Sequence, residues 1–96
     1  MMVVVTYDVD VTQPAGARRL RRVARICESM GVRVQNSVFE VLLDQAGLTQ
    51  FKQRLQTVID PAQDSVRFYL LGTNYQRRID SMGKPQRIQQ DGDLIL

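Results

Sequence analysis

The sequence predicts an α+β sandwich in which two helices cover one face of an antiparallel sheet. Three observations lead there. The chain opens on a β-branched apolar run, Val3-Val4-Val5. Two later segments repeat apolar residues at intervals of three and four, the mark of amphipathic helices. These alternate with further β-rich runs in the order strand, helix, strand (one or two), helix, strand, which fits a ferredoxin-like arrangement.

Length and composition set bounds on this domain. Ninety-six residues make one unit, which at this size buries roughly 63% of the surface its unfolded chain exposes. Hydrophobic content of 44% and charged content of 24% are ordinary for a globular protein. The single cysteine, Cys27, has no internal disulfide partner and fits a reducing compartment. No stretch approaches a membrane span, and a cytoplasmic location is expected. The absence of histidine removes His-based catalysis and most zinc sites. Chemistry is left to carboxylates, hydroxyls, Arg and Lys. Net charge is only +3, yet eleven of the thirteen cations are Arg, the side chain suited to gripping phosphate.

Val3 to Tyr7 reads as a central strand buried on both faces that stops at an acid, Asp8. Asp10 follows two residues later, and if the chain stays extended both carboxylates leave the same side. Acids at the open end of a rigid strand suit a divalent cation. The competing reading has Asp8 capping a turn and Asp10 capping the next helix. Asp10 to Gly16 is a loop, with Thr12 as N-cap and Pro14 near the first helical turn. From Ala17 to Met30, Leu20, Val23, Ala24, Cys27 and Met30 share one helix face, and Gly31 supplies the stop. Arg18, Arg21, Arg22 and Arg25 fall on the opposite side, with Arg19 towards the flank. Five Arg against one acid, Glu28, make that face either a nucleic-acid surface or a solvated one.

Val32 to Gln35 and Val38 to Leu43 are β-rich, and Gln35-Asn36-Ser37 between them is a tight turn or a bulge. Asp44 caps a second helix carrying Leu48, Phe51, Leu55, Val58 and Ile59, with Pro61 after its end. Asp64-Ser65 turns the chain into a last core strand, Val66 to Leu71, closed by Gly72. Residues 1–72 thus form the sandwich and 73–96 a tail. The tail is polar, with Arg77, Arg78, Lys84 and Arg87, until Leu94-Ile95-Leu96. Such an apolar end is expected to dock as an added strand on an exposed sheet edge, its own or that of a second copy.

Several of these segments carry a resemblance. Thr6-Tyr7-Asp8-Val9, the Arg-rich run Ala17 to Ala24, and above all Arg33-Val34-Gln35-Asn36-Ser37-Val38-Phe39-Glu40 resemble CRISPR-associated protein 2. Ile59-Asp60-Pro61, Asp64 to Tyr69 and Leu71-Gly72 extend the likeness, which is closest to the version in subtype I-C systems. In the tail Gly92-Asp93 stand where the family commonly has an acidic residue followed by Pro. The resemblance implies a ferredoxin-like βαββαβ fold, a homodimer, and a C-terminal strand exchanged between protomers. It implies that Asp8 faces its two-fold mate and binds Mg²⁺ or Mn²⁺, and that Tyr7, Ser37 and Phe39 belong to the family motif; Asp10 as a second acid rests on its spacing from Asp8, since the family tolerates other residues at that place. The implied activity is metal-dependent endonuclease action on duplex DNA or single-stranded RNA. The alternative is a non-catalytic scaffold holding duplex DNA between dimers of the CRISPR integrase subunit during spacer acquisition. Candidate nucleic-acid contacts are Arg18, Arg19, Arg22, Arg25, Arg77 and Arg78.

Overall fold

Side chains at every second position of the first strand meet both helices, and the rest of the fold is arranged around that contact. In the computed structural model, which describes residues 1–84, the chain runs β1 (Met2–Asp8), α1 (Pro14–Met30), β2 (Val32–Gln35), β3 (Val38–Leu42), α2 (Gln45–Gln56) and β4 (Ser65–Gly72). A short 3₁₀ helix, Tyr75–Arg78, follows. The strands form one antiparallel sheet of order β2-β3-β1-β4. This is the expected sandwich, with both helices on one face.

Val3, Val5 and Tyr7 of β1 join Phe39 and Val41 of β3 in the core, against Val23 and Cys27 of α1 and Leu48, Phe51 and Leu55 of α2. Phe51 meets Phe68 of β4 edge-on, with centroids 5.9 Å apart. Cys27 is fully buried there, and that burial pushes its thiol up to about 12.

Burial of β1 on both faces does not hold within the single chain. Val4 and Thr6 are half-buried and Asp8 is exposed, because the helices cover only one side of the sheet. The open side also presents Tyr69 and Leu42, 45% and 39% exposed. Helix α1 begins at Pro14, which the sequence places near the first helical turn. Its N-cap is Gln13 rather than Thr12, and no side chain caps it. Thr12 is otherwise engaged, donating its N–H and hydroxyl to Asp10 Oδ1 at 2.9 and 2.7 Å. Gly31 does end α1, but in an extended conformation. Glycine is required there because a Cβ would strike the Glu40 carbonyl oxygen and lie 2.7 Å from Val41 Cγ2.

The hairpin resolves as both features at once. Asn36 and Ser37 form its turn, and the β2–β3 register shifts between Arg33 and Gln35. Asp44 caps α2 as expected, accepting from Gly47 N–H at 2.7 Å. The expected strand at Leu94-Ile95-Leu96 lies outside the described residues.

One buried polar group ties these pieces together. The side chain of Asp64, just before β4, is fully buried and that of Arg19 on α1 is 16% exposed. Arg19 Nε and Nη2 donate to Asp64 at 2.7 and 3.2 Å. The backbone N–H groups of Asp60 and Asp10 donate to the same carboxylate at 2.8 and 3.2 Å. The hydrogen bond from Arg19 is the main cause holding the Asp64 carboxyl down at about 2, overcoming the opposing effect of burial.

A carboxyl group lowered on folding stabilises the protein fully above its unfolded value, near 3.8, and loses that contribution as pH falls towards 2. Thermal melts of Asp64→Asn should therefore depend less on pH between 4 and 2 than those of the wild type. Asp64→Ala leaves Arg19 and two N–H groups without their acceptor. It should cost about 3 kcal/mol at pH 7, lowering Tm by roughly 12–24 °C.

Candidate functional site

The end of a central strand is held on both flanks, and Asp8 stands there. It is the last residue of β1, opposite Ser65 of β4, while pairing with β3 has already stopped at Thr6 and Val38. Asp8 therefore extends past the end of β3 on the sheet face that the helices leave open. It is exposed, and no described residue hydrogen-bonds its carboxylate.

The preceding residue fixes this position. Tyr7 points to the helix side, stacks on Phe39 with centroids 6.1 Å apart, and donates its hydroxyl to the Asn36 carbonyl at 3.3 Å. Its N–H donates to the Ser37 carbonyl at 3.2 Å. Burial raises the Tyr7 phenol, so it stays a neutral donor. Arg33 lies over the Phe39 ring, 5.1 Å from its centroid, and pairs with Glu28 at 3.3 Å. Tyr7, Ser37 and Phe39 thus pin the β2–β3 turn against the strand end that carries Asp8.

The strand ends at Asp8, and Val9 follows Val5 and Tyr7 into the core before Asp10. The Asp10 carboxylate is spent on Thr12, whose backbone N–H is the main cause of its lowered pKa. Among the described residues no cluster of three or more His, Cys, Asp or Glu side chains exists that would hold a metal. Among the described residues, Asp8 is the strand-end acid with no hydrogen-bond or ion-pair partner.

The arginines divide into groups. Arg18, Arg22 and Arg25 are exposed along α1 with no ion-pair partner among the described residues. Arg19 is set apart from them, because its guanidinium is occupied by Asp64. Arg77 and Arg78 are exposed on the 3₁₀ helix after β4.

Two acids escaped sequence reading. Asp64 looks like an ordinary turn residue, and nothing local announces its four hydrogen bonds. Glu40 sits opposite Val4 at a half-buried position, where burial raises its carboxyl. Its signal was legible: a single acid inside the apolar run from Val38 to Leu43.

The fold and sequence have close parallels. The family model described as CRISPR associated protein Cas2 matches residues 1–79. The chain is 53% identical over 95 residues to a Rhodospirillum rubrum protein named CRISPR-associated endoribonuclease Cas2 3, covering 99% of this chain and 100% of that one. It is 43% identical to a Halalkalibacterium halodurans protein named CRISPR-associated endonuclease Cas2, covering 99% of each. The crystal structure of Streptococcus pyogenes Cas2 at pH 6.5 superposes with a TM-score of 0.76 at 54% identity, over 86% of this chain and all of that one. No described helix is long and apolar enough to cross a membrane.

Proposed function

The chain belongs to the Cas2 family of CRISPR-associated proteins, and on that footing we propose that it serves spacer acquisition as a homodimer that binds nucleic acid and cleaves it weakly at a metal site built on Asp8. The observation that carries this reading is the unpartnered Asp8 carboxylate at the rigid end of β1. The nuclease names of the relatives support it.

Magnesium is commonly held by one or two carboxylates together with water and substrate phosphate. Among the described residues one chain supplies one suitable acid, so the donor set fits when a second copy brings its own Asp8 to the two-fold axis. The half-exposed open face of the sheet, with Val4, Thr6, Leu42 and Tyr69, gives such a copy a surface to meet. The outer edge of β4, where Leu70 is 53% exposed, suits a strand crossing from the partner.

Bound there, a divalent cation would neutralise a phosphate oxygen and activate water for attack. The chain's own part is narrower. Tyr7 and Phe39 keep the strand end in place, Asp8 supplies the negative charge, and Arg18, Arg22, Arg25, Arg77 and Arg78 hold phosphates. The chain has no histidine, and among the described residues no acidic cluster surrounds Asp8 to supply a second base, which fits slow turnover. That same scarcity favours a second reading: a scaffold that holds duplex DNA between integrase dimers without cutting it.

Asp8→Asn keeps size and hydrogen-bonding capacity but removes the charge. Magnesium- or manganese-dependent cleavage of duplex DNA or single-stranded RNA should fall to background, while duplex affinity holds or rises slightly as repulsion of phosphate is removed. Cleavage equal to wild type would remove Asp8 from the mechanism. If neither protein cleaves yet both bind duplex equally, the scaffold reading stands. Asp10→Asn should keep wild-type metal dependence, since its carboxylate serves Thr12. Loss of cleavage with an unchanged melt would make Asp10 a ligand. Truncation after Asp91 should convert the dimer to monomer in light scattering at micromolar concentration, and an unchanged mass would rule out strand exchange as the source of the dimer.

A further inference from the structure

The charge of this protein is concentrated in its helical layer to a degree that the net +3 conceals. Between them α1 and α2 carry seven cations and one acid, Glu28. That acid pairs with Arg33 of β2 and Arg19 is neutralised by Asp64. Lys52 turns aside to lie over the Phe68 ring, 5.3 Å from its centroid. Where the two helices meet they leave a groove of about 740 Å³, with Arg22, Arg25 and Ser29 on one wall and Gln50, Gln53 and Arg54 on the other. Ile26, Thr57 and Val58 complete the lining, which includes no carboxylate. Three guanidinium groups facing one cleft repel one another without a counter-charge, and the field inside it attracts an anion.

The geometry points to this groove as a seat for the sugar–phosphate ridge of a nucleic-acid duplex, with Arg54 and the two glutamines of α2 forming a wall opposite Arg22 and Arg25. The inference rests on the reading that the protein binds nucleic acid. It adds a second wall, a defined cleft and a mode of recognition to the arginine row of α1. Arginine forks match phosphate oxygens and the Gln amides donate to the same acceptors. No aromatic side chain lines the cleft to stack an unpaired base, so recognition runs through the backbone and is blind to sequence. Because α1 and α2 cover the face bearing Val3, Val5 and Tyr7, a duplex in the groove lies across the sheet from the same chain's Asp8. The groove is a place of attachment, not of cleavage.

The test uses the full chain and a fluorescein-labelled duplex of about 30 bp, titrated at several salt concentrations. The variants are Arg22→Gln/Arg25→Gln/Arg54→Gln and, as a comparison, Arg77→Gln/Arg78→Gln. All three groove positions are exposed, so the melt should be nearly that of wild type. The expected result is a log–log salt slope smaller in magnitude by roughly 2.7, at about 0.9 per phosphate. A wild-type slope for the groove variant, with a reduced one for the Arg77/Arg78 variant, overturns the groove and leaves nucleic-acid binding intact. No duplex binding by the wild type overturns both. Should the groove variant fail to fold, phenylglyoxal modification of the wild type decides. Protection of Arg22, Arg25 and Arg54 by the duplex supports the assignment and their continued reactivity rejects it. Protection by a glutamate-rich peptide but not by the duplex would make the occupant an acidic protein segment and would also reject it.

Discussion

The carboxylate of Asp64 is the constraint on which the rest of this structure depends. A buried charge is tolerable only when its lone pairs are filled, and here one arginine and two backbone amides fill them. Those donors come from three separate stretches: helix α1, the loop that leaves β1, and the turn that enters β4. Each is thereby placed relative to the others without disulfide or metal. For a domain of this size, whose apolar core is small, such a pin ties α1 to the loop after β1 and the turn before β4. It also fixes where the chain goes after Asp8, and so what surrounds the strand end.

The contrast between Arg19 and its neighbours follows from the same contact. Arg18, Arg19, Arg22 and Arg25 are the same residue on the same helix, and periodicity alone separates Arg19 only weakly from the rest. Its position on the flank is what allows it to reach down to Asp64, whereas the others stay in solvent. Basic content on a helix therefore overstates binding capacity, because part of it can be consumed by the fold.

Sequence reading went furthest where the signal was local. Val3, Val5, Phe39, Phe51 and Leu55 declare the core through periodicity, and the capping role of Asp44 needs only the residues after it. It fell short where the deciding partner is distant or competes with a neighbour. Thr12 is a good cap in isolation, yet Asp10 two residues earlier claims its hydroxyl. The pairing of Arg19 with Asp64 spans 45 positions and leaves no periodic trace. Asp8 was legible because an apolar run ending in an acid is a local pattern. The engagement of the Asp10 carboxylate by Thr12 was not, since the sequence reading assigned that residue to a helix cap.

The buried thiol of Cys27 has a practical corollary. With its side chain fully buried, its proton held to about 12 and no other cysteine in the chain, the folded protein presents no reactive thiol to maleimides or glutathione. Covalent cross-links between copies through cysteine are thereby precluded, so any dimer is purely non-covalent. A cysteine introduced on the surface becomes the sole addressable thiol, which makes this chain a ready carrier for single-site spectroscopic labels. Cys27 itself becomes labelled only when the layers separate, so its modification rate is a built-in clock for opening of the core.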